Sequence, residues 1–300
     1  YEIYQCDWSS DVCSSDLFTF CQSLNLLGID FEDWYHPELI QQYVRTKKDP
    51  TVINGIDEIV DILRKNDTYA TFFVVGELLE YKPELLDKIL SNGHEIGFHT
   101  MHHTRIDSLN PDTFTEELRT FDRITRGKSK GFRAPTFSIN QKSGWAIDIL
   151  ADYGYTYDSS IVPARTSMYG FSDAEEKPYR ISSTSLAKDD PKSKIMEFPI
   201  MTTKIFGKKL PAGGGFYLRL LPLNLIKNAI RNCEHRSIPS TFYIHSWEIT
   251  PDLMPRLHLP IKDRFITYHN LSKAKLRLEK ILREFKFTSF ERYIRSSNSS

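Results

Sequence analysis

The chain has little cysteine, with 4 in 300 residues. Cys6 and Cys13 fall in an atypical N-terminal stretch, and Cys21 and Cys233 are too far apart in sequence to imply a bridge. No pair of them has metal-ligand spacing, which excludes a Cys-rich structural zinc site. Net charge is also missing: 39 Lys plus Arg balance 39 Asp plus Glu. No long-range field gathers a polyanion, so nucleic acid is not the expected partner. Nor is there an apolar run near the ~20 residues that span a bilayer; the longest, around residues 72–75, reads as a buried strand. Residues 1–17 lack the basic start, apolar middle and small-residue cleavage site of a signal peptide. Their Ser/Asp-rich composition resembles translated adapter read-through. Residues 1–20 are therefore expected to be non-native or disordered, with the folded domain over 21–300. With no leader visible the default compartment is cytoplasmic, and oligomeric state is left open.

Apolar and aromatic residues are plentiful: 40% of the chain is hydrophobic, with 19 Phe, 15 Tyr and 4 Trp, enough for a sizeable core and an aromatic cleft. From residue 24 onward short apolar runs alternate with amphipathic stretches, the rhythm of a parallel α/β sheet or barrel. Strands are expected at 24–30, 70–76, 94–100, 131–137, 155–158, 194–201, 241–247 and 287–290. Ile53, Ile56, Val60 and Leu63 share a helical stripe ending near Asn66. A helix over 78–90 stops at Asn92–Gly93. Asn110–Pro111 starts another, with Phe114, Leu118, Phe121 and Ile124 as its buried stripe. Further helices are expected over 143–153, 223–233 and 272–285. Residues 163–191 and the Gly-rich 211–217 read as surface loops. The economical fold is a distorted (β/α) barrel of about seven parallel strands, with its site at the C-terminal strand ends.

Five of those ends carry reactive groups. Glu32 and Asp33 are adjacent after the first strand, where side chains alternate, so one carboxylate can ligate a metal while the other stays free as a base. A solvated acidic turn is the alternative. His99 and His103, at i and i+4, share a face if the segment turns as a helix and can hold one ion; His102 then turns away. Two imidazoles and one carboxylate leave an open position for water, which points to hydrolysis. Arg133 beside Pro135 can pair with Glu32, and the Thr136 backbone N–H can face an oxyanion. Asp158 can orient His245 through one ring nitrogen and make it a general acid. Each of these alone also fits an ordinary ion pair or hydrogen-bonded core residue.

In this order, Glu32-Asp33, His99-Thr100-x-x-His103, Arg133-x-Pro135, Asp158 and His245 resemble the polysaccharide deacetylase family, also called the NodB-homology or carbohydrate esterase 4 fold. The resemblance spans roughly residues 24–290. Phe-Glu-Asp-Trp at 31–34, Arg-Ala-Pro-Thr-Phe-Ser-Ile at 133–139, Pro-Ala-Gly-Gly-Gly-Phe-Tyr-Leu-Arg at 211–219 and His-Ser-Trp-Glu at 245–248 look like bacterial deacetylases of exopolysaccharide and exosortase clusters. Glu32 stands where much of the wider family has Asp. The resemblance implies a divalent ion, usually zinc, on Asp33, His99 and His103. It implies Glu32 as base, Arg133 as its partner, His245 as acid with Asp158 behind it, and an N-acetylated exopolysaccharide substrate that loses acetate. Trp34, Trp247, Thr136, Gly214 and Phe216 are the expected substrate contacts. The alternatives are a hydrolase of a small cyclic amide or ureide, and a carbohydrate-binding protein without turnover.

Overall fold

The computed structural model describes residues 24–44 and 49–298, so the N-terminal stretch at 1–20 lies outside the described residues. The strands are β1 (Asn25–Phe31), β2 (Thr71–Val74), β3 (Glu95–Phe98), β4 (Gly131–Phe132), β5 (Tyr157–Asp158), β6 (Tyr179–Ile181), β7 (Ile195–Glu197), β8 (Thr202–Ile205), β9 (Lys208–Pro211), β10 (Thr241–His245) and β11 (Phe287–Thr288). The main sheet runs β10-β1-β2-β3-β4-β5-β7-β6, with β11 also on β1. Its pairs are parallel except β6 on β7. A bridge between Ile200, just past β7, and Thr241 of β10 brings the two margins together. The result is the expected curled, barrel-like parallel sheet, built on β10, β1, β2, β3, β4, β5 and β7.

β1 is buried at every position because strands flank it on both sides and its faces meet packed side chains, as parallel sheets require. Outside the sheet, the helices Ile56–Lys65 and Pro111–Thr125 lay the expected stripes on it: Ile56, Val60 and Leu63 in the first, Phe114, Leu118 and Phe121 in the second. Asn110 caps the second, its side chain accepting from the Thr113 backbone N–H at 2.9 Å, with Pro111 at the first helical position.

Inside the barrel, glycines make room for large residues. An added Cβ would lie 2.6 Å from the Phe73 ring at Gly97 and 1.9 Å from the Tyr157 ring at Gly131. Phe73, Tyr157, Phe198 and Phe290 fill that volume, with Tyr157 stacked on Phe290 at 5.2 Å. This aromatic plug forms the floor on which the site rests.

Several sequence expectations need correction. The helix over 78–90 is two, Gly76–Tyr81 and Glu84–Ser91, because Pro83 drives Lys82 out of the helical region, to φ −140° and ψ 78°. The last long strand ends at His245, where Ser246–Ile249 turns as a helix. The stretch 163–191 contributes β6, and the Gly-rich segment opens the helix Gly215–Leu220. The chain ends in a further helix, Phe290–Asn298, which brings Phe290 into the plug. No helix among the described residues is long and apolar enough to cross a membrane.

Candidate active site

A pocket of about 140 Å³ opens at the C-terminal ends of β1, β3, β4 and β10, lined among others by Asp30, Glu32, His99, His103, Thr136 and His245. Glu32, His99 and His103 each present a ligand atom, all within 4.8 Å of one another, and all three are buried. His99 Nδ1 donates to the Arg133 carbonyl at 2.6 Å, which fixes the tautomer and leaves Nε2 free to ligate. Burial pushes the His99 imidazole down to about 4, so it is neutral, the form a metal binds. Burial opposes ionisation of Glu32, but the facing histidines, His103 first, hold its carboxyl well below the usual range. Glu32 Oε2 lies 2.8 Å from His103 Nε2, and His103 Nδ1 is buried without a hydrogen-bond partner. Two imidazoles and a carboxylate buried together, with their ligand atoms converging, are a set that a divalent cation fits.

Asp33 does not belong to this group, which corrects the expected ligand set. Its carboxylate accepts backbone N–H groups from Trp34 at 2.9 Å, Thr51 at 3.1 Å and Ile53 at 3.0 Å. The reason is the alternation of an extended chain: Asp30 and Glu32 share a face and line the pocket, whereas Asp33 leaves it. Asp33 instead anchors the 3-10 turn Val52–Gly55 that leads into the helix Ile56–Lys65.

Arg133 pairs with Asp30, not Glu32. Its NH1 donates to Asp30 Oδ1 at 2.7 Å, while Nε and NH2 donate to the carbonyl and hydroxyl of Ser159 at 3.0 and 2.9 Å. The guanidinium lies 4.2 Å over the Phe73 ring and fills the space beside Gly28, where a Cβ would be 2.5 Å from NH1. Gly28→Ala is therefore expected to displace Arg133 from Asp30, lowering stability by about 1–3 kcal/mol. It should also lower activity by more than the folded fraction explains; thermal melts beside initial rates check this.

Asp158 does not reach His245. It lies against Glu197 of β7 and accepts from Ser160 at 2.5 Å; burial raises both carboxyls, Asp158 to about 6. Glu248 holds His245 instead, with Oε2 at 2.7 Å from Nδ1, and it sits three residues on, in the first turn of the helix Ser246–Ile249. Glu248 in turn accepts from Arg219 Nε at 2.6 Å. Burial opposes protonation of His245, but Glu248 outweighs it and lifts the imidazole to about 9. Sequence reading missed Asp30, Glu248 and Arg219. The i, i+2 spacing of Asp30 and Glu32 and the i, i+3 spacing of His245 and Glu248 were the available signals.

The segment His99–His103 is a bend, not the helical turn that would make i, i+4 a shared face. Left-handed backbone at Thr100 (φ 57°) and His103 (φ 55°) brings the two rings to 5.0 Å. Thr136 (φ 54°) and Phe137 (φ 50°) are also left-handed and line the pocket. Such residues cost of order 1 kcal/mol each and persist where packing over-determines them. His102 is mostly exposed and pairs with Glu77 at 2.7 Å.

Of the expected substrate contacts, Trp247, Thr136 and Phe216 line the pocket. Trp247 also donates Nε1–H to Glu32 Oε1 at 2.8 Å and stacks on His245 at 4.9 Å. Trp34 does not line it; it is buried with Tyr35, Ile40 and Val52, donating to the Asp49 carbonyl at 3.1 Å. Gly214 is structural too, at φ 119° with the Tyr243 carbonyl 1.7 Å from where a Cβ would stand.

The polysaccharide deacetylase family profile matches residues 49–157, and a domain of unknown function, DUF3473, matches 159–295. Over 99 residues the chain is 31% identical to a chitooligosaccharide deacetylase of Bradyrhizobium sp. (31% of this chain, 42% of the relative). Over 98 residues it is 33% identical to a peptidoglycan-N-acetylmuramic acid deacetylase of Bacillus subtilis (32% of this chain, 37% of the relative). The chain thus spans about two fifths of the length of these relatives. A Mycobacterium smegmatis crystal structure assigned to the polysaccharide deacetylases superposes with a TM-score of 0.61 at 14% identity, covering 94% of this chain and 93% of that one. That likeness speaks to the fold. Residues 49–157 are thus a polysaccharide deacetylase domain by their family profile, on a fold shared with that crystal structure.

Proposed function

We propose that the pocket hydrolyses N-acetyl groups of an N-acetylated polysaccharide, releasing acetate and a free amino sugar; the motif resemblance points to an exopolysaccharide. One observation carries this reading: Glu32, His99 and His103 converge within 4.8 Å, with Glu32 Oε2 at 2.8 Å from His103 Nε2 and His103 Nδ1 buried without a hydrogen-bond partner. These three residues would hold a divalent cation, zinc by the chemistry of the set. Bound there, such an ion supplies an activated water and polarises the acetamide carbonyl.

The chain's own residues do the rest. Asp30, on the same face of β1 as Glu32, takes the proton of the attacking water, and Arg133 fixes its carboxylate. His245 delivers a proton to the departing amine, its ring oriented by Glu248 and Glu248 by Arg219. The left-handed turn at Thr136 forms the wall on the carbonyl side, where backbone N–H groups stabilise developing negative charge. Trp247 and Phe216 offer faces to the sugar.

Chelation tests the reading. Metal-free protein should release no acetate from N-acetylated chito-oligosaccharides, and Zn2+ should restore turnover at about one ion per chain. Full turnover in verified metal-free protein rejects the proposal. Acetate as product also separates this activity from cyclic amide or ureide hydrolysis and from carbohydrate binding without turnover.

A further inference from the structure

The catalytic pocket is not isolated. A second, larger groove of about 580 Å³ shares Phe137, Met168 and Tyr169 with it and leads away along the loops after β4 and β5. The two differ in character. The pocket is walled by rings and aliphatic groups around its reactive centre, whereas the groove presents Arg105, Lys142 and Arg165 with Asp107 as its one acidic residue. Asp107 is already engaged: it accepts from Arg105 Nε at 2.9 Å, from Arg105 NH2 at 2.8 Å and from Asn140 Nδ2 at 3.0 Å. Arg105 is completed by Glu38, at 3.0 Å from NH1. Lys142 and Arg165 are exposed and have no acidic partner among the described residues.

In a chain whose charges sum to zero, two unpaired cations on the path leading from the reactive pocket are a local surplus that a neutral polymer does not use. Resting on the deacetylase reading, we infer that the groove is a subsite for an acidic polysaccharide, in which the sugar next to the N-acetylated one carries a carboxylate. The acetamido sugar occupies the ring-lined pocket, and Phe137, Met168 and Tyr169 form the saddle between the two sugars. The carboxylate meets Lys142 and Arg165, whose exposed positions make the attraction salt-dependent.

The test compares a neutral N-acetylated chitohexaose with an alternating N-acetylglucosamine–glucuronate oligosaccharide of equal length. Wild-type protein and the Lys142→Glu/Arg165→Glu double variant are each assayed for acetate release and for binding, at low and high salt. The wild type should prefer the acidic oligosaccharide at low salt. The double variant should raise its KM about tenfold, with kcat and the chitohexaose parameters within about twofold. High salt should erase the preference. An equal loss on both substrates, or a neutral preference insensitive to salt, overturns the inference. If neither substrate yields acetate yet the acidic one binds in a salt- and charge-dependent way, the groove assignment stands and the deacetylase reading fails. Absence of such binding removes the groove assignment.

Discussion

Glu32→Gln is expected to remove both the bound ion and acetate release, with turnover falling roughly 10³-fold or more. The amide is isosteric, so the fold is preserved and Trp247 still finds an acceptor at position 32. It is uncharged, however, and the two histidines of the group are left without an anionic partner for a divalent cation. Asp33→Asn should behave in the opposite way. Its three backbone donors lose a charged acceptor, at about 1–3 kcal/mol of stability, but the ion remains. Metal content per chain and melting temperature for the two variants decide the matter. An ion retained in Glu32→Gln and lost in Asp33→Asn would reverse the assignment.

The second large effect belongs to Asp30. Asparagine keeps an oxygen for the Arg133 guanidinium but cannot take a proton, so kcat should fall by about 10²–10⁴-fold with metal content unchanged. Because Arg133 is fully buried, weakening its ion pair also lowers stability. Rates are therefore compared at a temperature where circular dichroism shows the variant folded. A rate within a few-fold of wild type in folded, metal-loaded Asp30→Asn would mean that another group accepts the proton.

The sheet was legible because burial leaves a periodic trace. The stripe of Phe114, Leu118 and Phe121 follows directly from helical geometry, as does the end of β1 at the acidic cluster. Local rules failed where the backbone does something uncommon. Pro83 splits a helix that the apolar pattern runs through. Left-handed Thr100 and His103 replace the helical turn that i, i+4 spacing suggests, although both histidines still meet. At residues 30–33 parity decides: Glu32 and Asp33 are adjacent in sequence, but the alternation of the strand pairs Asp30 with Glu32.

Sequence by itself determined that two histidines, a strand-end acidic cluster, Arg133 and His245 stand at the mouths of parallel strands, because strand order and the ends of apolar runs are local properties. Which carboxylate faces the histidines, which one receives Arg133, and which one supports His245 were decided only by tertiary structure. Glu32, Asp30 and Glu248 took those places over Asp33, Glu32 and Asp158. The physical reason is that a buried charge goes where backbone donors or opposite charges meet it, and those partners come from segments up to about a hundred residues away in the chain.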